Sequence, residues 1–147
     1  AGVGPDGHGY VLDDLTLRAS PNGWGERVLT GYDKWSCDRI IGERNNGGEM
    51  VEYVIRSIRA SAPFASVHAS KGKWTRAEPV SALYEQGKVH HVGTFAALED
   101  QMCSFTQDGT SDGHDDRVDA LVWALTELMV TGGAMPFGWL MQDEEGE

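Results

Sequence analysis

The strongest constraint on the fold is a long apolar helix pattern that begins with three acids. In "DDRVDALVWALTELM", residues 115–129, large apolar side chains recur at the spacing of a buried helix, and Trp123 is predicted to lie in the core. Asp115 and Asp119 are four residues apart, and Asp116 and Asp119 are three apart, so each pair shares a helix face. A domain built around this helix must therefore neutralise at least one carboxylate close to its core.

Helix capping explains some of these acids but not all of them. An aspartate near a helix N-terminus is favoured by about 0.3–1 kcal/mol, and this accounts for Asp112 and Asp115. Asp119 lies further into the helix, directly before the apolar run "ALVWAL". A buried carboxylate at this position needs a partner, and a divalent cation is one candidate.

A second acidic position follows a predicted strand. The segment "DRIIGE", residues 38–43, reads as a short buried strand that ends in Glu43. Sites in α/β proteins are built at such strand ends. Carboxylates suit Mg²⁺ or Mn²⁺, and two such ions about 4 Å apart can activate water and stabilise the leaving oxygen of a phosphodiester. Glu43 alone fits a solvated loop residue equally well, so the metal-site prediction depends on Glu43 and the aspartates together.

The order of the predicted elements indicates one mixed α/β domain. Residues 1–17 read as a hairpin around the turn "PDG", and helices and strands then alternate as far as the helix at residue 115. This order predicts a mixed sheet with helices on its faces. The segment "SKGKWTRAEP" is predicted to be a basic loop before the helix "VSALYEQG". The length of 147 residues, 40% of them hydrophobic, suits one domain.

The distribution of charge matters more than its sum. A net charge of −11 argues against nucleic-acid binding when taken alone. However, Lys71, Lys73 and Arg76 lie together in the predicted basic loop. They are either phosphate contacts next to the acids or a solvated basic loop. His90 and His91 are adjacent in an extended segment, so they point to opposite faces and are predicted to be structural.

Several classes of protein are excluded by simple features. The longest apolar run is too short to span a bilayer, and residue 1 onward shows no signal-peptide pattern. The two cysteines, Cys37 and Cys103, form neither a disulfide framework nor a zinc pattern. We therefore expect a protein of a reducing, intracellular compartment that is not secreted and has no membrane partner.

Four segments carry a resemblance to a known family: "GERNNGGEMVEYVIR", "ASKGKWTRAEPVSALYEQGKVHHVG", "LEDQMCSF" and "HDDRVDALVWALTEL". In this order and at close spacing, they resemble the C-terminal nuclease domain of phage terminase large subunits, in the branch found in tailed phages and gene transfer agents. The likeness covers about residues 1–130 and leaves 131–147 as a C-terminal tail. It implies a ribonuclease H-like fold, related to the RuvC resolvases. It also implies an endonuclease that cuts double-stranded viral DNA during packaging with acidic residues and Mg²⁺ or Mn²⁺.

The resemblance also implies roles for particular residues. Glu43 is the expected second catalytic acid and Asp116 the candidate for the third, with Asp115 and Asp119 beside it and His114 in a supporting position. Glu43, Asp116 and Asp119 are the expected metal ligands. The DNA contacts expected from the likeness are Lys71, Lys73 and Arg76.

Partners and location follow from the same resemblance. The expected partners are double-stranded DNA, the ATPase domain of the terminase, the portal and the small terminase subunit. The expected location is the cytoplasm of an infected bacterial host. A resolvase-like junction nuclease would share the fold but not the stretch "SKGK…RAEPVSALYEQG".

The sequence departs from the family pattern at one point. The family's first catalytic aspartate lies on a first strand, in a motif like "VDPA", and no such motif occurs here. Asp6, Asp13 and Asp14 do not match it, and no phosphate-binding P-loop is present. We therefore expect a nuclease domain that lacks its first strand, with exposed sheet edges that a second copy in a homo-oligomer could cover. Two functions remain open: a metal-dependent endonuclease, and a non-catalytic module that docks to DNA or to the packaging machinery.

Overall fold

The computed structural model describes residues 1–44, 49–110 and 113–131. The predicted turn at 45–48 lies outside the described residues. So do residues 111 and 112, which include the capping candidate Asp112, and the predicted tail from 132 onward. All remaining predicted elements fall within the described parts of the chain.

The described residues form five strands, five helices and one π-helical turn. The strands are β1 (Gly2–Val3), β2 (Gly9–Val11), β3 (Ile40–Glu43), β4 (Phe64–Val67) and β5 (Val89–His91). The helices are α1 (Pro21–Lys34), α2 (Glu49–Ile58), α3 (Lys73–Glu85), α4 (Ala96–Ser104) and α5 (Asp116–Leu125), and α5 continues into the π-helical turn Thr126–Val130.

The strands pair in two groups, one of them mixed. β2 pairs antiparallel with β1 and parallel with β5, and β3 pairs parallel with β4. The helix α2 connects β3 to β4, as parallel neighbours require. The mixed α/β class predicted from the order of elements is confirmed.

Two sequence-based boundaries were wrong. The second strand of the opening hairpin ends at Val11 rather than at Leu17. The segment predicted as a basic loop is largely helical, because α3 begins at Lys73 and contains Pro79 in its interior. Proline is disfavoured inside a helix, and the predicted helix began at Val80, directly after Pro79. The preceding turn is held instead by tertiary contacts, including the stacking of Trp74 on Phe105 with ring centroids 5.9 Å apart.

The larger hydrophobic cluster surrounds α5. Val118, Leu121, Val122 and Leu125 are buried on this helix, and they pack with buried residues of β2, α3, β5 and α4. A smaller cluster joins α1 and α2 around Leu29, Ile55 and Ala62. The apolar periodicity that predicted a buried final helix is confirmed, and this helix carries the aspartates into the centre of the domain.

The end of β3 is fixed by close packing. In the β3–β4 ladder Glu43 lies opposite Val67, at the carboxyl end of both strands. Gly42 precedes it, and a Cβ atom on Gly42 would lie 2.7 Å from Cζ of Phe64. The backbone of β3 therefore approaches the phenylalanine ring more closely than any other residue would allow. None of the described helices is long and apolar enough to cross a membrane.

We expect Leu125→Ala to lower the free energy of unfolding by about 2–5 kcal/mol, because a fully buried leucine would be replaced by a cavity. Urea denaturation followed by far-UV circular dichroism measures this loss. Val130→Ala, at a residue whose surface is 41% exposed, is the control and should change the free energy by less than about 0.5 kcal/mol. Equal effects of both substitutions would contradict the packing described for α5.

Candidate active site

Glu43 is held at the carboxyl end of β3 by a tryptophan from α5. The indole Nε1 of Trp123 donates a hydrogen bond of 3.0 Å to Oε2 of Glu43. The side chain of Glu43 keeps 21% of its surface exposed, so it is neither a core residue nor a freely solvated one. This contact ties the end of the strand to the helix that carries the aspartates.

The three aspartates of α5 occupy different environments. Asp115 and Asp119 have side chains that are 16% and 19% exposed, whereas Asp116 is exposed. Asp115 stands at the N-cap of α5, but its side chain makes no capping hydrogen bond and pairs with Lys73 at 2.6 Å instead. The capping explanation for Asp115 therefore fails.

Arg76 lies between the acid of the strand and the innermost acid of the helix. Its Nη2 donates a hydrogen bond of 2.8 Å to Oδ1 of Asp119, and its Nη1 lies 3.7 Å from Oε1 of Glu43. The guanidinium also stacks over the ring of Trp123 at 4.5 Å from the ring centroid. Because the Arg76 side chain is only 9% exposed, these contacts take place largely out of water.

The two helices present matching charges. Lys73 and Arg76 are three residues apart on α3 and share a face, as Asp115 and Asp119 do on α5. Lys73 pairs with Asp115 and Arg76 pairs with Asp119, which joins α3 to α5 at two successive points. The hydrogen bond to Asp115 raises the pKa of Lys73 above its ordinary value and keeps this lysine charged.

Burial dominates the electrostatics of Asp119. Its pKa is raised above the ordinary value of 3.8, first because the carboxylate is desolvated and then because Glu43 and Asp115 carry like charge nearby. Arg76 and Lys73 act in the opposite direction. Ionised Asp119 is therefore held at a cost to the folded state.

The structure brings together some of the predicted site residues and not others. Glu43 and Asp119 meet through Arg76, and Asp115 joins them through Lys73. Asp116, the sequence candidate for the third catalytic acid, lies on the exposed side of the first turn of α5. Within the described ranges its side chain has no ion pair or hydrogen bond. Its catalytic and metal-binding roles stay predictions.

The remaining predicted residues lie around this centre. Lys71 is exposed, two residues before α3. His114 is exposed as well, and its backbone carbonyl accepts a hydrogen bond of 2.9 Å from the hydroxyl of Thr110. Asp13 and Asp14 pair with Lys34 and Arg117, at 2.7 and 2.8 Å.

Trp123 is a site residue that sequence reasoning assigned to the core. It is partly buried, but it also holds Glu43 by a hydrogen bond and Arg76 by stacking. One sequence signal could have indicated this role, because Trp123 follows Asp119 by four residues and therefore shares its helix face. The pairing of α3 with α5 was missed for a different reason, since Lys73 and Arg76 were predicted to lie in a loop.

The donor chemistry of the site suits part of a divalent-cation centre. Glu43, Asp115 and Asp119 offer carboxylate oxygens, the ligands that Mg²⁺ and Mn²⁺ prefer. However, no three histidine, cysteine, aspartate or glutamate side chains converge as a metal-binding group in the described residues. The described acids can therefore contribute ligands to a cation, but they do not complete a metal centre.

The fold and the site define an α/β domain with an acidic centre between a strand end and a helix. The chain belongs to the terminase RNaseH-like domain family, whose model matches residues 3–128. The resemblance found in the sequence is thus confirmed, and with it the ribonuclease H-like fold and, at a coarse level, a nuclease-type function in packaging. A search of curated proteins found no match to the chain.

The raised pKa of Asp119 predicts the effect of its charge on stability. A carboxyl whose pKa is raised in the folded protein contributes stability that is present below its unfolded pKa and is lost as pH rises through its folded pKa. We therefore expect Asp119→Asn, which keeps an oxygen acceptor for Arg76, to be more stable than the wild type at pH 7. The advantage should shrink toward pH 4. Urea unfolding at both pH values measures it.

Asp100→Asn on α4 is the matched control, because Asp100 is an exposed carboxylate, and we expect no pH-dependent gain from it. A loss of stability in Asp119→Asn at pH 7 would show that attraction to Arg76 outweighs the burial of the carboxylate.

Proposed function

We propose that this domain cuts double-stranded DNA during genome packaging, in a reaction that depends on Mg²⁺ or Mn²⁺ held in part by Glu43 and Asp119. One observation carries the proposal. Two partly buried carboxylates from different elements, a strand end and a helix, approach the same guanidinium, that of Arg76, in a domain of the terminase RNaseH-like family. Acids gathered at a cost to folding are typical of a functional site.

The other aspartates of α5 have separate roles in this proposal. Asp115 pairs with Lys73 beside Glu43 and Asp119, so it serves either as a further metal ligand or as the partner that holds this lysine. Asp116 is exposed and accessible to a cation or to a water molecule at the rim of the site. Two-metal hydrolysis needs ligands on both ions, which Glu43 and Asp119 alone do not supply.

DNA is proposed to bind against the N-terminal end of α3. Lys71 and Lys73 bring positive charge to this end, and Gly72, its N-cap, provides no side-chain acceptor for the first N–H groups. Free N–H groups and the positive end of the helix dipole together favour phosphate. The net charge of −11 repels DNA, so this local basic surface must supply the attraction for phosphate.

The proposed partners follow from the family. They are double-stranded DNA, the ATPase domain of the terminase, the portal and the small terminase subunit, in the cytoplasm of an infected bacterial host. Self-association as a homo-oligomer is a further proposal. His114, next to Asp115 in the chain, is proposed to support the acids of α5.

A second function is favoured by one specific observation. The described residues do not assemble three metal-ligating side chains, so the chain by itself could dock to DNA or to the packaging machinery without cutting. Metal binding and DNA cleavage, measured separately, distinguish this docking module from the nuclease.

For the nuclease, we expect Mn²⁺ to bind weakly to the wild type and not measurably to Glu43→Ala or Asp119→Ala, since each variant removes one of the two carboxylates proposed to hold the ion. Isothermal titration calorimetry measures the heats. Asp100→Ala is the control, because it removes an exposed carboxylate from α4, and it should bind as the wild type does. Equal heats from all four proteins would contradict a cation site at Glu43 and Asp119.

Plasmid nicking in Mn²⁺ then separates the two functions. Weak nicking by the wild type that Glu43→Ala abolishes supports the nuclease. Mn²⁺ binding without any nicking supports the docking module.

The proposed DNA path gives a further expectation. Lys71 is exposed and has no ion pair in the described part of the chain, so Lys71→Ala should remove one phosphate contact. The slope of log binding constant against log salt concentration should fall by about 0.9, without regard to DNA sequence. Fluorescence anisotropy over a salt series measures this slope. Lys88→Ala, beyond the opposite end of α3, is the control, and an unchanged slope in both variants would assign Lys71 to solvent.

A further inference from the structure

Arg76 is an unusual residue to find between two acids that are proposed to bind metal. Only 9% of its side-chain surface is exposed, and it contacts both the strand end and the helix of the site. Its positive charge lies between the carboxylates of Glu43 and Asp119. A divalent cation bound by these two acids would need the space that the guanidinium occupies.

The guanidinium is only partly satisfied where it lies. Nη2 donates to Asp119, but Nε and Nη1 are buried and have no hydrogen-bond partner among the described residues. A buried donor without an acceptor carries a free-energy cost, and for a charged group that cost is larger. The position of Arg76 is therefore explained by the charges around it rather than by a complete set of hydrogen bonds.

Trp123 gives Arg76 a support that does not depend on the acids. The guanidinium stacks over the indole ring at 4.5 Å, while the indole N–H separately holds Glu43. If the carboxylates turned to another cation, this stacking would keep the guanidinium beside the site. Its free donors would then be available to an oxyanion such as a DNA phosphate.

We propose that Arg76 is a resident counter-cation of the acidic site, which a divalent cation displaces from Glu43 and Asp119 while Trp123 retains the guanidinium beside them. The inference rests on the proposed function, because it needs a cation at these two acids. It explains why the described acids form no metal-binding group: their oxygens are directed to Arg76 and, through Asp115, to Lys73.

Competition follows from geometry and charge. Mg²⁺ takes oxygen ligands at about 2.0–2.1 Å, and a guanidinium that stays 2.8 Å from the same Asp119 carboxylate would face a doubly charged ion at close range. The two cations therefore exclude one another at these acids. If Arg76 only contacted DNA, removing it would leave the Mn²⁺ affinity unchanged. If Arg76 instead ordered the ligands, removing it would weaken Mn²⁺ binding.

The decisive experiment is Mn²⁺ titration of Arg76→Met by isothermal calorimetry. Methionine has an apolar chain suited to the buried site beside Trp123 and carries no charge or oxygen ligand. We expect Mn²⁺ to bind at least about fivefold more tightly than to the wild type, the lower end of ordinary coupling between two ligands. Arg76→Lys keeps the charge and should bind about as weakly as the wild type.

Arg59→Met is the matched control for net charge, because Arg59 pairs with exposed Asp33 on α1. It should leave Mn²⁺ affinity unchanged. If Arg76→Met binds Mn²⁺ equally or less tightly than the wild type, the counter-cation role is overturned. If Glu43→Ala nevertheless abolishes Mn²⁺ binding, the proposed function still stands. If Glu43→Ala binds Mn²⁺ as tightly as the wild type does, the proposed function itself is refuted.

A second measurement uses the wild-type protein, in case Arg76→Met does not fold. Nitrogen-15 NMR detects the Nε–H group of each ordered arginine, and the signal lost in Arg76→Lys identifies that of Arg76. We expect Mg²⁺ to shift this signal while the signal of Arg59 stays in place. An Arg76 signal that does not respond to Mg²⁺ at concentrations that produce binding heat would overturn the displacement.

Discussion

The contact of Arg76 with Glu43 and Asp119 is the interaction on which the centre of this domain depends. It joins α3, β3 and α5 through one guanidinium, and Trp123 adds a second connection between the strand and the helix. Two acids so close to the core would repel one another and lose their hydration without a cation between them. The charge of Arg76 therefore permits the approach of β3 to α5.

Burying these charged groups costs free energy that burying apolar residues would not. Ion pairs removed from water are often no better for stability than apolar residues of the same size. The raised pKa of Asp119 shows that burial outweighs the attraction of Arg76 and Lys73 for its charge. Such a costly grouping is common at functional sites, which fits the family to which the chain belongs.

The net negative charge of the chain does not describe the surface that a polyanion would meet. Several of the basic side chains are used internally or in pairs, as Arg76 is with Asp119, Lys73 with Asp115 and Arg59 with Asp33. Lys71 stays exposed and unpaired in the described part of the chain, at the N-terminal end of α3. The electrostatic surface that a polyanion would meet is therefore local and does not follow the net charge of −11.

Sequence periodicity by itself determined the α/β order, the buried helix α5 and the position of Glu43 at a strand end. These features depend on the spacing of apolar residues along one element, which the sequence displays directly. Four segments of the sequence also resemble the terminase family, and the family match over residues 3–128 confirms that resemblance. The separation of Asp115 and Asp119 by one helical turn was likewise visible in advance.

Only the tertiary structure decided which faces of these elements meet. It placed Asp119 and Asp115 toward α3 and left Asp116 exposed. It also began α3 at Lys73, seven residues before Val80, where the helix was predicted to start. It also turned Trp123 from an expected core residue into the support of Glu43 and Arg76. The physical reason is that periodicity specifies the faces within one helix or strand, whereas the choice of partner for each face depends on packing and charge contacts between residues far apart in the chain.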